Sequence, residues 1–64
     1  MLIKEHPEDE TIVGKRVWNK AQTQEGTVVL FDPKDRYPSI DIKWDDGQLS
    51  QRCFMMSLAI ELVD

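Results

Sequence analysis

From Ile40 to Asp45 the chain alternates apolar and polar side chains, Ile40-Asp41-Ile42-Lys43-Trp44-Asp45, and then runs into Asp46-Gly47. A two-residue period presents one apolar face, as in a half-buried strand, and an Asp-Gly pair supplies the positive backbone angles of a tight hairpin. Carried along the chain from Ile12, the same reading finds short apolar runs broken by turn residues at roughly ten-residue spacing, the mark of an all-β domain. Strands are predicted near Arg16–Asn19, Gly26–Phe31, Ser39–Trp44, Leu49–Met55 and Ile60–Val63. The polar stretch Lys20 to Glu25 is a loop. The segment Asp32 to Pro38 carries two prolines, which cannot donate to a ladder, and so connects the second strand to the third. Ser57-Leu58-Ala59 suits a single helical turn before the last strand, with Ser57 as its cap.

Residues 1–11 contain Pro7 and the acids Glu5, Glu8, Asp9 and Glu10, with no periodic apolar pattern after Leu2 and Ile3. They read as a flexible acidic N-terminal arm, leaving 12–64 as the folded domain. Five short strands in about fifty residues cannot stack two large sheets, and a strongly bent sheet closed into a small barrel is the economical solution. Its expected core is Val17, Val28, Leu30, Ile40, Ile42, Leu58 and Leu62. By parity Trp44 joins that face at the strand end and Trp18 points away from it. Phe31 has the opposite parity to Val28 and Leu30, which places it outside or marks a bulge after Gly26. Of the neighbours Phe54 and Met55, one must face outward.

Length and composition narrow the function. A chain of 64 residues buries only about 60% of the surface its unfolded form exposes, so its core must be compact. The single cysteine, Cys53, excludes a disulfide within the chain and reads as a buried, inert thiol. The single histidine, His6, cannot complete a zinc site, and no cofactor or metal is expected. The longest apolar run, Val28 to Phe31, falls far short of the ~20 residues that span a bilayer, and Met1 to His6 lacks a signal-peptide stretch; a cytoplasmic location is expected. Twelve acidic against eight basic residues give a net charge of −4, which disfavours binding nucleic acid by bulk charge. No nucleophile-base pair is present, and the chain reads as non-enzymatic.

Gly14-Lys15-Arg16-Val17, Glu25-Gly26-Thr27-Val28-Val29 and the segment Ile40 to Gly47 together resemble the first three strands of SH3-like barrels of the Tudor and KOW type. Leu58 then fits the turn before the closing strand, so that the likeness spans Val13 to Val63. The resemblance implies a five-stranded SH3-like (Tudor-like) barrel with a short helical turn before the last strand. Tudor domains that read methylated side chains use an aromatic cage with a nearby carboxylate. On that pattern Trp44 stands at the cage position ending the third strand and Asp46 supplies the carboxylate. Gly26-Thr27 stands where cage-forming members often carry aromatics, so a complete cage would need Trp18 or Tyr37 from other loops.

The expected function is that of a binding or adaptor module. It would recognise a protein segment, favoured to be basic, through an aromatic surface at Trp18, Tyr37 and Trp44 with an acidic rim at Asp45 and Asp46. Asp41 belongs to the same acidic cluster around Trp44, although Asp45 and Asp46 also suit a purely structural role as turn formers. The alternatives are a KOW-like nucleic-acid-associated barrel using Lys15, Arg16, Lys20 and Lys34, or a structural subunit that forms a homodimer through an edge strand.

Overall fold

The computed structural model describes residues 1–33 and 36–63. It is all-β: one antiparallel sheet in the order β1 (Arg16–Trp18), β2 (Glu25–Asp32), β3 (Ser39–Trp44) and β4 (Leu49–Phe54), with single 3-10 turns at Ile3–Glu5, Glu10–Ile12 and Met55–Ser57. The four strands fall within a residue or two of the predicted ones. The Asp-Gly signal marks a real hairpin, in which Gly47 takes φ +95° and its N–H donates to the Trp44 carbonyl at 2.9 Å.

The fifth strand and the closed barrel are corrected. Instead of a ladder, the last segment makes single bridges, Val17 to Leu62 and Leu2 to Glu61, and the described sheet is open. Its natural partner, β1, is only three residues long and offers one buried position, Val17, to pair against. At the other end the turn Ile3–Glu5 lies against the turn Met55–Ser57. That turn begins two residues before the predicted one, so Ser57 ends it and does not cap it.

The segment 1–11, expected to be a flexible arm, is instead tied down near both its ends. The Ile3 N–H donates to the Ile60 carbonyl at 2.9 Å, the Leu62 N–H donates to the Met1 carbonyl at 2.8 Å, and Ile3 and Ile12 are fully buried. They join Val17, Val28, Ile40, Ile42, Met55 and Leu62 in the core, with Leu58 packed against it.

Leu30 was expected inside and is 46% exposed. The reason is a bulge: Val28 pairs with Ile42 and Leu30 with Asp41, so Val29 is an extra residue and the parity of β2 inverts beyond it. Phe31 thereby turns onto the core. A second bulge sits opposite the first. In β4, Ser50 pairs with Ile42 and Cys53 with Ile40, leaving Gln51 and Arg52 against the single residue Asp41. Arg52 takes φ +55°, and its N–H donates to Asp41 Oδ1 at 3.0 Å. The slip brings Cys53 and Met55 inward and leaves Phe54 47% exposed.

Gly26 packs beneath Trp44: a Cβ at this position would lie 2.7 Å from the indole Cε3 and 2.9 Å from Ile42 Cγ2. Trp44 is thus seated on the inner face at the strand end, its Nε1–H donating to Ser50 Oγ at 2.8 Å.

Two stability effects follow. Ile3→Ala is expected to cost about 2–4 kcal/mol, as for other fully buried isoleucines, and urea denaturation should show it. An unchanged midpoint would mean that the first residues do not contribute to the core. Arg52→Gly, which relieves a left-handed backbone at a non-glycine residue, is expected to gain about 1 kcal/mol in the same measurement.

Candidate functional site

The aromatic residues singled out in the sequence do not converge. Trp18 alternates with the buried Val17, pairs across to Glu25, and lies half-buried on the outer face. Trp44 lies on the inner face opposite Gly26. Tyr37 stands before β3, at the end of the sheet opposite Trp44, which the five residue steps from Ser39 to Trp44 place about 17 Å away.

The charged candidates at the Trp44 end are engaged with one another. Arg16 makes a bidentate pair with Asp45, Nη1 to Oδ1 at 2.9 Å and Nη2 to Oδ2 at 2.6 Å, and its Nη2 also donates to Glu25 Oε1 at 3.2 Å. Nη1 reaches Thr27 Oγ1 at 2.8 Å as well. This network joins the first strand to the β3–β4 hairpin across the outer face. The guanidinium holds the Asp45 carboxyl below the usual carboxylate range, chiefly through the hydrogen bond, while the Arg16 pKa is raised for the same reason. Asp46 acts in its turn: the Gln48 N–H donates to its Oδ1 at 3.0 Å, and this bond first, with the Gln24 side chain second, lowers its pKa. A residue drawn from the nucleic-acid set, Arg16, therefore neutralises one drawn from the peptide-binding set, Asp45. Lys15 and Lys20 are exposed, and Lys34 lies outside the described residues.

The concave surface that gathers chemistry is at the other end. Leu30, Asp32, Tyr37, Asp41, Arg52 and Phe54 line an open cleft of about 340 Å³ on the outer face. The Tyr37 and Phe54 rings meet edge to face, with centroids 6.3 Å apart and planes at 68°. Leu30, Tyr37 and Phe54 are each about half exposed. Of the aromatic residues and acidic cluster expected in a binding surface, only Tyr37 and Asp41 belong to this cleft. Leu30, expected in the core, is turned out by the Val29 bulge, one of the two readings that the parity of Phe31 leaves open. The open choice between Phe54 and Met55 is resolved with Phe54 outside, and the choice left for Phe31 is resolved by the bulge.

A smaller groove of about 280 Å³ runs past Thr27, Val29, Lys43, Trp44 and Asp45, but its carboxylate is the one paired with Arg16. Cys53, partly buried, has its thiol pKa pushed up, mainly by burial and then by Asp41, which leaves it an unreactive thiol at neutral pH. Among the described residues there is no group of three metal-ligating side chains, and no helix is long and apolar enough to cross a membrane.

The Arg16 network sets a pH dependence. A carboxylate whose folded pKa is depressed contributes stability above its unfolded pKa and loses it as pH falls through the folded value. Arg16→Gln is therefore expected to lower the thermal midpoint slightly at pH 7, with the difference from wild type shrinking as the pH is lowered beneath the usual carboxylate range, to a pH at which Asp45 is protonated in both states. A difference that persists undiminished at that pH would assign the effect to packing of the Arg16 stem. The chain matches no protein-family model, no curated protein and no solved structure, so its function is read from this geometry.

Proposed function

We propose that this chain is a non-enzymatic binding module of SH3-like build that recognises an extended protein segment through the outer cleft of Leu30, Tyr37 and Phe54. In this reading the order of β1–β4 carries the SH3-like likeness, with the sheet left open and the segment 60–63 joined by single bridges in place of a fifth strand.

The observation that carries the proposal is the pair of bulges facing each other across Asp41. Each turns an apolar side chain out of a core that a chain of this size needs. Fully burying a leucine or phenylalanine stabilises by about 1.5–3 kcal/mol, and Leu30 and Phe54, half exposed, each forgo a good part of that. Bulges that re-aim side chains are frequent beside binding sites, and a covering partner would recover the lost burial. Tyr37 adds an aromatic ring with a wet hydroxyl, the kind of side chain that anchors interfaces.

The bulge in β4 also bears on self-association. With Arg52 in a left-handed conformation and its N–H given to Asp41, the outer edge is broken in mid-strand, which blunts strand-to-strand pairing with a second copy.

An array of unrelated extended peptides, scored against the wild-type chain and against Leu30→Ser and Tyr37→Ser, tests the reading. Both variants change exposed positions and should stay folded. Each is expected to weaken any bound peptide about tenfold, the effect of losing one anchoring side chain. Full retention of binding by a folded double variant would remove this cleft as the recognition surface.

A further inference from the structure

We infer that the cleft takes an uncharged side chain that both donates and accepts, the carboxamide of a glutamine or asparagine on the extended segment, held between Asp41 and Arg52; this rests on the binding role proposed for the cleft. Asp41 and Arg52 line the cleft from adjoining strands. The Arg52 main-chain N–H donates to Asp41 Oδ1 at 3.0 Å, yet the two side chains make no ion pair, so guanidinium and carboxylate stand more than 4.0 Å apart. Neither pairs with any other charged group among the described residues. Between them is the place for a group whose oxygen accepts from the guanidinium and whose N–H donates to the carboxylate, which is what a carboxamide offers.

An ionic ligand meets a like charge here whichever its sign. A lysine drawn to Asp41 is opposed by Arg52, and a glutamate drawn to Arg52 is opposed by Asp41. Taking an ion out of water also costs more than taking out an amide. Asp32, which lines the cleft as well, has an interaction of its own.

Ser39 points to a polar ligand independently. It shares the outer face with Asp41, two positions or about 7 Å along the strand. It lines the cleft, is only 8% exposed, and its hydroxyl makes no hydrogen bond to any described residue. A hydroxyl this enclosed is ordinarily bonded, and because it can donate or accept it suits either end of an amide. Leu30 pairs with Asp41 and Phe54 with Ser39, so apolar side chains flank the same two positions and can cover the methylene stem of the incoming side chain.

The test is a titration of the full-length, nitrogen-15-labelled chain with four peptides of equal length, followed by amide chemical shifts. Each carries two leucines in a Gly-Ser background, and the residue between them is glutamine, glutamate, lysine or methionine. The glutamine peptide is expected to bind about fivefold tighter than each of the others, shifting the amides of Ser39, Asp41 and Arg52 as well as those of Leu30, Tyr37 and Phe54. Asp41→Asn keeps an acceptor for the Arg52 N–H and removes the negative charge, and should move the preference to glutamate. Arg52→Gln should move it to lysine, in each case by about fivefold. Ser39→Ala should weaken the glutamine peptide about threefold and leave the methionine peptide unchanged. The dispersion of each variant's spectrum shows whether it is folded.

Equal binding of the glutamine and methionine peptides would overturn the carboxamide subsite while leaving the apolar binding surface in place. A preference of the wild-type chain for glutamate or lysine would overturn it in favour of an ion site. Folded variants at Asp41 and Arg52 that keep the glutamine preference would overturn it as well. Absence of shifts at Leu30, Tyr37 and Phe54 with every peptide would overturn both the subsite and the binding role of the cleft.

Discussion

The register of β3 is the constraint on which the rest of the structure depends. Ile40 and Ile42 are both fully buried, so the residue between them must face outward, and a slip of one position would expose the two together. The strands on either side accommodate that fixed register by each inserting a residue opposite Asp41. On one side the slip turns Phe31 to the core and Leu30 away from it. On the other it brings in Cys53 and Met55 and turns out Phe54. A single polar residue in the central strand is thereby flanked by two apolar ones on the outer face, and the cleft follows from the pairing of the sheet.

Much of the sheet was legible because the period-two signal is strong wherever polar residues mark the outward positions. Ile40 to Gly47 gave its strand and turn directly, and Val17, Val28, Ile40, Ile42 and Leu62 were placed in the core by parity alone. The parity of Phe31 allowed a bulge after Gly26, but neither the place of that bulge nor the existence of the one in β4 was legible. Val28 to Phe31 is a continuous apolar run with no polar residue to show where the parity changes, so Leu30 was drawn inside. In β4 the left-handed position is occupied by arginine, where a glycine would have announced it. Ile3 and Ile12 escaped for another reason. They stand as single buried residues on one-turn segments, and a pattern needs a repeat to be seen. The closing strand was overestimated because two bridged residues read, in sequence, like four paired ones.

Charge was read correctly in amount and less well in availability. Composition counts ionised groups, whereas binding depends on those left over after the fold has used its own. Asp45 and Arg16 look like recognition residues for opposite ligands, yet their bidentate contact consumes both in holding the hairpin to β1. A half-exposed pair of this kind is modest in strength, but it still changes which end of the molecule presents unsatisfied charge. The acidic groups near Asp41 and the Glu10–Ile12 turn lie at the opposite end, brought there because the N-terminal segment folds back against the body of the domain.

That same end is held in place from within. Phe54 is fixed by its pairing to Ser39 across β3, and Met55, the next residue, is fully buried and donates its N–H to the Pro38 carbonyl at 3.1 Å. Pro38 directly follows Tyr37. The backbone on which both exposed rings are mounted is therefore tied to one hydrogen-bonded juncture, which the turn Ile3–Glu5 supports from behind through its packing on Met55–Ser57. Aromatic side chains held this way have little freedom left to lose, a saving in entropy that would favour the binding proposed for this cleft. The domain lacks the size to offer a large interface. Two exposed rings on a backbone tied to the core are what a sheet with this register presents on its outer face.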